Sequence, residues 1–425
     1  MKIKLVTFAP HPNFGTCLQS YALNYVLKQM GHDVEFIYNR REEPPLTWRR
    51  YLYFKMAQFL RIVIPNHLVN KLKRRMRPQI SSLSPSMNLD PVVLELPSHP
   101  ILRCLSKMPD YKFFAKGWYY DNLQKRKVYK FTFGDGNFNM HRLYTSQDYE
   151  DVVKNADMFI TGSDQIWNPF CGGYNPMMFL EFVNDGTKCI SYSSSISQPS
   201  IHPLVEQRMK KALSKFEHIA VREQHSVDLL NALLGRNDVK LVVDPTYLLS
   251  AEEWESFGDK AEIEFKVPEK YIFCYFVGCK RADVYEKMVQ EVKAFTGIDQ
   301  VITLDCCNNE RVYGGGFTYH DAGPYEWVYL LRHASYVCMD SFHATVFALK
   351  FQKEFVHTMK NSDSETGSQN TRMYDILNRY GILYKNYNDD GSKDWQKIID
   401  YEKVTPIIEK EIQESMDFLK YEVKE

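Results

Sequence analysis

The residues best suited to chemistry in this 425-residue chain lie in the stretch Met339-Asp-Ser-Phe-His-Ala-Thr-Val-Phe-Ala348. A short apolar run precedes it and an apolar, helix-like run follows. Asp340, Ser341 and His343 therefore fall in a strand-to-helix turn. In an open α/β sheet such turns lie at the carboxyl edge of the strands, where ligands bind. Ser341 is suited to cap the helix, and the free N–H groups of a first helical turn form an anion site. A histidine in that turn could hand a proton to a bound anion. Taken alone, these ten residues favour the plainer reading, a well-capped core helix with a hydrogen-bonded histidine.

The totals bound the alternatives. A chain of this length exceeds one compact core and predicts two domains. Its 53 basic and 53 acidic residues cancel, so no global field favours nucleic acid. Nine cysteines without CxxC or Cys/His zinc spacing predict reduced thiols and no metal site. The chain enters a strand directly after Met1-Lys2, and no run of 18 apolar residues occurs, so a cytoplasmic protein is expected.

The elements that must position the chemistry follow a βα rhythm. Lys2 to Phe8 reads as a strand, Ala9 to Gly15 as a tight polar loop, Thr16 to Met30 as a helix, and Asp33 to Tyr38 as a second strand. Asn13 and Gly15 are the residues of that loop most apt to matter, and Asn13 serves either as a helix cap or as a ligand contact. The rhythm then breaks. From Trp48 to Arg77 nine basic residues and no acidic one are interleaved with aromatics, a composition suited to an anionic membrane surface. It would also suit a diphosphate or acidic segments of the same fold. Residues 80–142 are poorly periodic and read as an insertion.

Alternation resumes at Met158 to Thr161, followed by Gly162-Ser-Asp-Gln-Ile-Trp-Asn-Pro169. Further strands are read at 188–192, 219–221 and 240–243, each ending in a polar cluster. A second α/β set begins at Tyr271 and includes the opening stretch, and a helical tail runs from about Lys393 to Lys420. Gly314-Gly-Gly316 lacks the lysine and spacing of a nucleotide loop. These elements predict an α/β protein of two Rossmann-like αβα domains in a GT-B-like arrangement with an interdomain cleft. The expected boundaries are 1–255 on the acceptor side with an insertion at about 48–140, 265–390 on the donor side, and a C-terminal helix at 391–425.

The combination of motifs resembles the polysaccharide pyruvyl transferase family. Its most specific element is Gly162–Pro169, supported by Asn13-Phe-Gly15, Leu18-Gln-Ser-Tyr-Ala-Leu23, Val221-Arg-Glu223, Asp244-Pro-Thr246 and Ser341-Phe-His343. Three places depart from the family pattern: Ala344 stands where a glycine usually follows the histidine, Ser193-Ser-Ser195-Ile196 lacks its usual glycine, and Asn370-Thr-Arg372 carries threonine for serine. None of these changes removes a titratable group.

The resemblance implies transfer of the pyruvate group of phosphoenolpyruvate (PEP) onto a sugar as a ketal, with PEP as donor substrate and no cofactor. PEP-binding residues are then expected at Arg222, Ser341, His343 and Arg372. Arg222 suits a bidentate anion contact, although it could equally pair with Glu223. His343 is the expected general acid, since imidazole titrates near neutrality. Asp164 is the first choice of base and Asp340 the second, although Asp164 could instead cap its turn. Asn13, Gln165, Trp167 and Asn168 are the expected acceptor contacts, with core packing as the other reading of Trp167.

The implied acceptor is a galactose-type residue receiving a 4,6-ketal on an undecaprenyl-diphosphate-linked precursor. Residues 48–77 would supply peripheral contact with the inner membrane face, and nucleic acid is not an expected partner. The alternative is a GT-B glycosyltransferase using a nucleotide sugar, against which no acidic residue is clearly placed to hold a ribose.

Overall fold

Central strands that are apolar and buried on both faces, such as Met158–Thr161, Ile272–Phe276 and Tyr336–Met339, anchor two all-parallel sheets, the environment that continuous apolar strands require. The computed structural model describes residues 1–8, 13–38, 127–128, 130–143, 146–171, 173–278, 280–305, 312–362 and 367–424. The basic segment 48–77 and most of the expected insertion lie outside the described residues.

The first sheet contains β1 (Lys2–Val6), β2 (Asp33–Tyr38), β3 (Met140–Arg142), β4 (Met158–Thr161), β5 (Lys188–Ser194), β6 (His218–Val221) and β7 (Lys240–Leu241). Their order is 3-2-1-4-5-6-7. The second contains β8 (Ile272–Phe276), β9 (Val301–Asp305), β10 (Phe317–Tyr319), β11 (Tyr336–Met339) and β12 (Phe355–His357), in the order 10-9-8-11-12. Helices α1 (Phe14–Gln29), α2 (Ser146–Lys154), α3 (Pro203–Leu213) and α4 (Gln224–Leu234) flank the first sheet. Helix α5 (Ala251–Gly258) leads to the second, which carries α6 (Ala282–Thr296), α7 (Pro324–His333), α8 (Phe342–Lys350) and α9 (Thr371–Arg379). The result is two Rossmann-like αβα lobes in a GT-B-like arrangement, as the element order predicts.

In each sheet the strand order reverses at one place, between β1 and β4 in the first and between β8 and β11 in the second. Ligands bind at such reversals because the flanking connections leave to opposite faces and open a crevice. Register aligns the two exits in each lobe: Val6 pairs with Thr161, and Tyr275 with Met339. Asn13–Gly15 and Gly162–Pro169 therefore leave the first reversal, and Asp340–His343 leaves the second.

Aromatic packing joins the lobes. Trp254 of α5 packs edge-on against Phe347 of α8, with ring centroids 4.8 Å apart, and lies 6.0 Å from Tyr21 of α1. The last helix, α10 (Tyr401–Glu422), returns to the first lobe. Glu422 there pairs with Lys188 at 3.0 Å and His218 at 2.8 Å, and Ser415 Oγ accepts from the Val243 N–H at 2.9 Å. This helix starts later than its periodicity predicts, because residues 394–396 form a separate 3-10 turn. Among the described residues no helix is long and apolar enough to cross a membrane.

Candidate active site

At the first reversal α1 and the Gly162–Pro169 loop form one hydrogen-bonded unit. The Asn13 side chain caps α1 by accepting from the Thr16 N–H at 3.3 Å, so its capping role is the one seen. Gln19 of α1 accepts from the Ser163 N–H at 3.2 Å and donates to Thr7 Oγ1 at 3.2 Å, which in turn donates to Ser163 O at 3.1 Å. Thr16 Oγ1 donates to Asp164 Oδ2 at 2.7 Å. Gly162 is required where it stands: its φ is 123°, and a Cβ would lie 2.1 Å from Tyr192 O. Two motifs far apart in sequence thus act as a single clamp.

Beneath this clamp lies Arg222, at the end of β6. Its Nε, Nη1 and Nη2 donate to Glu223 Oε1 at 3.1 Å, Asp244 Oδ2 at 2.8 Å and Asp164 Oδ1 at 3.2 Å. Its guanidinium also lies 4.3 Å from the centroid of the Phe342 ring of the other lobe. Burial opposes ionisation of Asp164, but Arg222, His343 and Arg372 outweigh it and hold the carboxyl well below the usual range. Asp244 is depressed likewise: burial again opposes, and His343 and then Arg222 prevail.

The second reversal supplies the facing rim. Asp340 accepts from the Val277 N–H at 2.6 Å, the Gly278 N–H at 2.7 Å and Tyr285 Oη at 2.7 Å, so it ties the β8 exit loop in place. Ser341 caps α8 through the Ala344 N–H at 3.4 Å. His343 crosses to the first lobe, where its Nε2 faces Asp244 Oδ2 at 3.5 Å. Its ring also rests on the backbone of Gly15: a Cβ built on that glycine would lie 2.2 Å from His343 Nδ1. The glycine of the Asn13-Phe-Gly15 motif is thus the seat of the histidine.

Exposure divides the expected site residues into two sets. Asp164, Gln165, Ser341, His343 and Arg372 keep 5–9 % of their surface, whereas Arg222, Glu223, Asp244, Trp167 and Asn168 keep 3 % or less. All ten are buried, and a small cavity between the lobes is lined by Arg222, Asp244, Tyr247 and Phe342. Arg222 is held from below: three of its five N–H donors go to the carboxylates of Glu223, Asp244 and Asp164.

Trp167 must be corrected from sugar contact to core plug. It is 1 % exposed, stacks on Phe179 at 5.8 Å and donates to Met178 O at 3.1 Å. Asn168 shapes the loop, donating to Gln165 Oε1 at 2.9 Å and accepting from the Phe170 N–H at 3.0 Å. Gln165 reaches across the lobes to Gln369 Oε1 at 3.1 Å.

Arg372, in the first turn of α9, contrasts with Arg222. Among the described residues it forms no ion pair and one long hydrogen bond, to Gln369 Oε1 at 3.5 Å, while its buried Nε has no partner. Burial and the neighbouring Arg222 pull its guanidinium below the ordinary arginine range. A buried cation lacking a counter-ion is costly unless an anion completes it. Asn370 makes no side-chain cap on α9, which leaves the first-turn amides of this helix without that partner.

Sequence reasoning overlooked Phe342, whose ring is near both arginines, with Arg222 at 4.3 Å and Arg372 at 5.7 Å from its centroid. It also overlooked Gln369 and Lys360. Lys360 lies against Gly278 at the second reversal, its Cγ 3.0 Å from where a Cβ would stand, and forms no ion pair among the described residues. Phe342 sits inside the Ser-Phe-His motif and Gln369 immediately precedes Asn370-Thr-Arg372, so adjacency to the motifs was the available signal.

Among solved structures, the chain is similar to UDP-GlcNAc 2-epimerase from Neisseria meningitidis bound to UDP-GlcNAc, at 10 % identity over 98 % of this chain and 100 % of that one, with a TM-score of 0.44. It is also similar to UDP-GlcNAc 2-epimerase from Methanocaldococcus jannaschii, at 10 % identity, 99 % and 100 % coverage and a TM-score of 0.43. No curated protein matches. The model of the polysaccharide pyruvyl transferase family matches residues 13–363, a span holding every motif named above except Asn370–Arg372. With that match over most of its length, this chain belongs to the polysaccharide pyruvyl transferase family.

Proposed function

We propose that this transferase moves the pyruvate group of PEP onto two hydroxyls of one sugar, forming a cyclic ketal and releasing phosphate. The observation that carries the reading is Arg372, a buried guanidinium with no ion pair among the described residues, which acts on Asp164 together with a histidine held between the lobes. A donor with a carboxylate and a phosphate would complete that charge. Arg372, Lys360 and the first-turn amides of α8 and α9 offer the donors for its two anionic groups.

The reaction begins with transfer of a proton from His343 to the methylene carbon of PEP, which becomes the methyl group. The adjacent carbon gains oxocarbenium character and is attacked by the first sugar hydroxyl, whose proton returns to the imidazole. Phosphate then leaves, and the second hydroxyl closes the ring and gives its proton to phosphate. Atoms and protons balance without a metal or cofactor. Asp164 is a weak proton acceptor near neutrality, because its carboxyl is held below the usual range. Its proposed role is to orient the attacking hydroxyl, with Gln165 as a further acceptor contact.

We further propose a galactose-type 4,6-diol on an undecaprenyl-diphosphate-linked glycan as acceptor, at the inner membrane face. The basic aromatic composition of residues 48–77 supports that placement. Incubation with PEP and such a glycan should yield the mass increment of a pyruvate ketal together with free phosphate. Consumption of a UDP- or GDP-sugar, with PEP untouched, would replace this reading by glycosyl transfer.

The seat of the histidine provides a second check. Gly15→Ala puts a methyl group on His343 Nδ1, and overpacking of this kind costs about 1–3 kcal/mol. If the ring moves to relieve it, turnover falls about tenfold or more while the thermal midpoint changes little. Comparing kcat with the melting curve separates displacement of the ring from general damage.

A further inference from the structure

We infer that Asp244 decides which nitrogen of His343 exchanges protons: the carboxylate holds Nε2 from the opposite lobe and leaves Nδ1, above Gly15, as the working nitrogen. The inference rests on the pyruvyl-transfer reading for its chemistry but on geometry for its assignment. It gives a role to Asp244-Pro-Thr246, a motif that the reaction scheme leaves unused.

Asp244 is itself tightly fixed. Its Oδ1 accepts from the Thr246 N–H at 3.1 Å and from Thr246 Oγ1 at 2.7 Å. Its Oδ2 accepts from Arg222 Nη1 at 2.8 Å and Ser163 Oγ at 3.2 Å, and faces His343 Nε2 at 3.5 Å. Nε2 is sealed from solvent and makes no hydrogen bond, since 3.5 Å is long for one. A buried ring nitrogen beside a carboxylate is satisfied only when it carries the hydrogen. A bare lone pair there would face the lone pairs of Oδ2. Neutral His343 is therefore the Nε2–H tautomer.

That assignment leaves Nδ1 for the chemistry. The missing side chain of Gly15 is what lets the ring sit with Nδ1 against the backbone, because any Cβ would stand 2.2 Å from it. In the transfer step the Nδ1–H bond breaks as the C–H bond of the new methyl group forms, while Nε2–H stays against Asp244. The proton of the first hydroxyl then restores Nδ1–H, and no other acid or base is consumed. Arg222 also acts on Asp244, and His343 acts in turn on Asp164, which Arg222 and Arg372 hold as well. Asp244 touches neither PEP nor sugar in this scheme and is a positioning residue. Because it and His343 belong to different lobes, the acid is complete only when the lobes are together.

The direct test is the tautomer. In the full-length protein labelled with 15N-histidine, with the signal assigned by loss in His343→Gln, neutral His343 should show the Nε2–H pattern. An Nδ1–H pattern overturns the inference. In Asp244→Asn, kcat for phosphate release from PEP with a galactose-terminated lipid-linked glycan should fall about tenfold or more, with KM for PEP within about threefold. Unchanged kcat overturns the inference, as does a KM effect alone. If Asp244→Asn does not fold, the wild-type tautomer decides by itself. If wild-type protein releases no phosphate from PEP, the pyruvyl reading fails, and the tautomer still judges the pairing with Asp244.

Discussion

Replacing His343 with glutamine should lower pyruvyl transfer by about 10²–10⁴-fold, the range that one general acid contributes, while leaving the fold intact. Glutamine can keep a polar group toward Asp244 and, being close to histidine in size, can rest on Gly15. It cannot carry a proton to carbon. Little stability should be lost, because His343 Nε2 makes no hydrogen bond and the neighbouring carboxylate is held by Arg222, Ser163 and Thr246 without it. The measurements are single-turnover phosphate release from PEP and circular dichroism on the same sample. Near-normal release from the glutamine variant would remove His343 from the mechanism.

The second large effect is a contrast between two arginines that look alike in sequence. Arg222→Met leaves Asp164, Glu223 and Asp244 buried together without their shared cation. Breaking a buried pair in this way costs about 3–5 kcal/mol, and three carboxylates share this partner. The urea midpoint should drop sharply. Arg372→Met removes a buried cation that has no ion pair among the described residues, so stability should hold or rise. Its cost falls instead on the donor: loss of charge-assisted hydrogen bonds worth about 1.5–3 kcal/mol weakens PEP binding by about 10–100-fold. Urea melts and PEP titrations of both variants decide the matter. Equal loss of stability in the two would show that Arg372 is also structural.

The difference between these arginines marks the limit of what the sequence reveals. Both were legible as cations near an anion site. Only the fold shows that Arg222 is enclosed by acids brought from the ends of β4, β6 and β7, because such convergence depends on which strands are neighbours. Trp167 was misassigned for a related reason: its type suits a sugar platform, but Phe179 and Tyr174 form a stacked wall on one side of it. The strands themselves were read well where apolar runs are buried on both faces, as in Met158–Thr161 and Tyr336–Met339. They were missed where short, as in β3 and β10, because three residues give no measurable periodicity. The strand expected to run to Val243 stops at Leu241, since the Val243 N–H turns to Ser415 of a helix far away in sequence.

That distant helix has a consequence for how the chain is built. A ribosome releases the first lobe long before residues 401–422 exist, yet α10 supplies Ser415 to Val243, Glu422 to Lys188 and His218, and the Phe418 ring near Tyr192. The earliest sheet to be synthesised is thus among the last to be finished. Its rear face waits, unsheathed, while the second lobe is made. Vectorial synthesis and domain-by-domain folding do not coincide here: the first lobe reaches its final state only when the chain has passed through the second and come back.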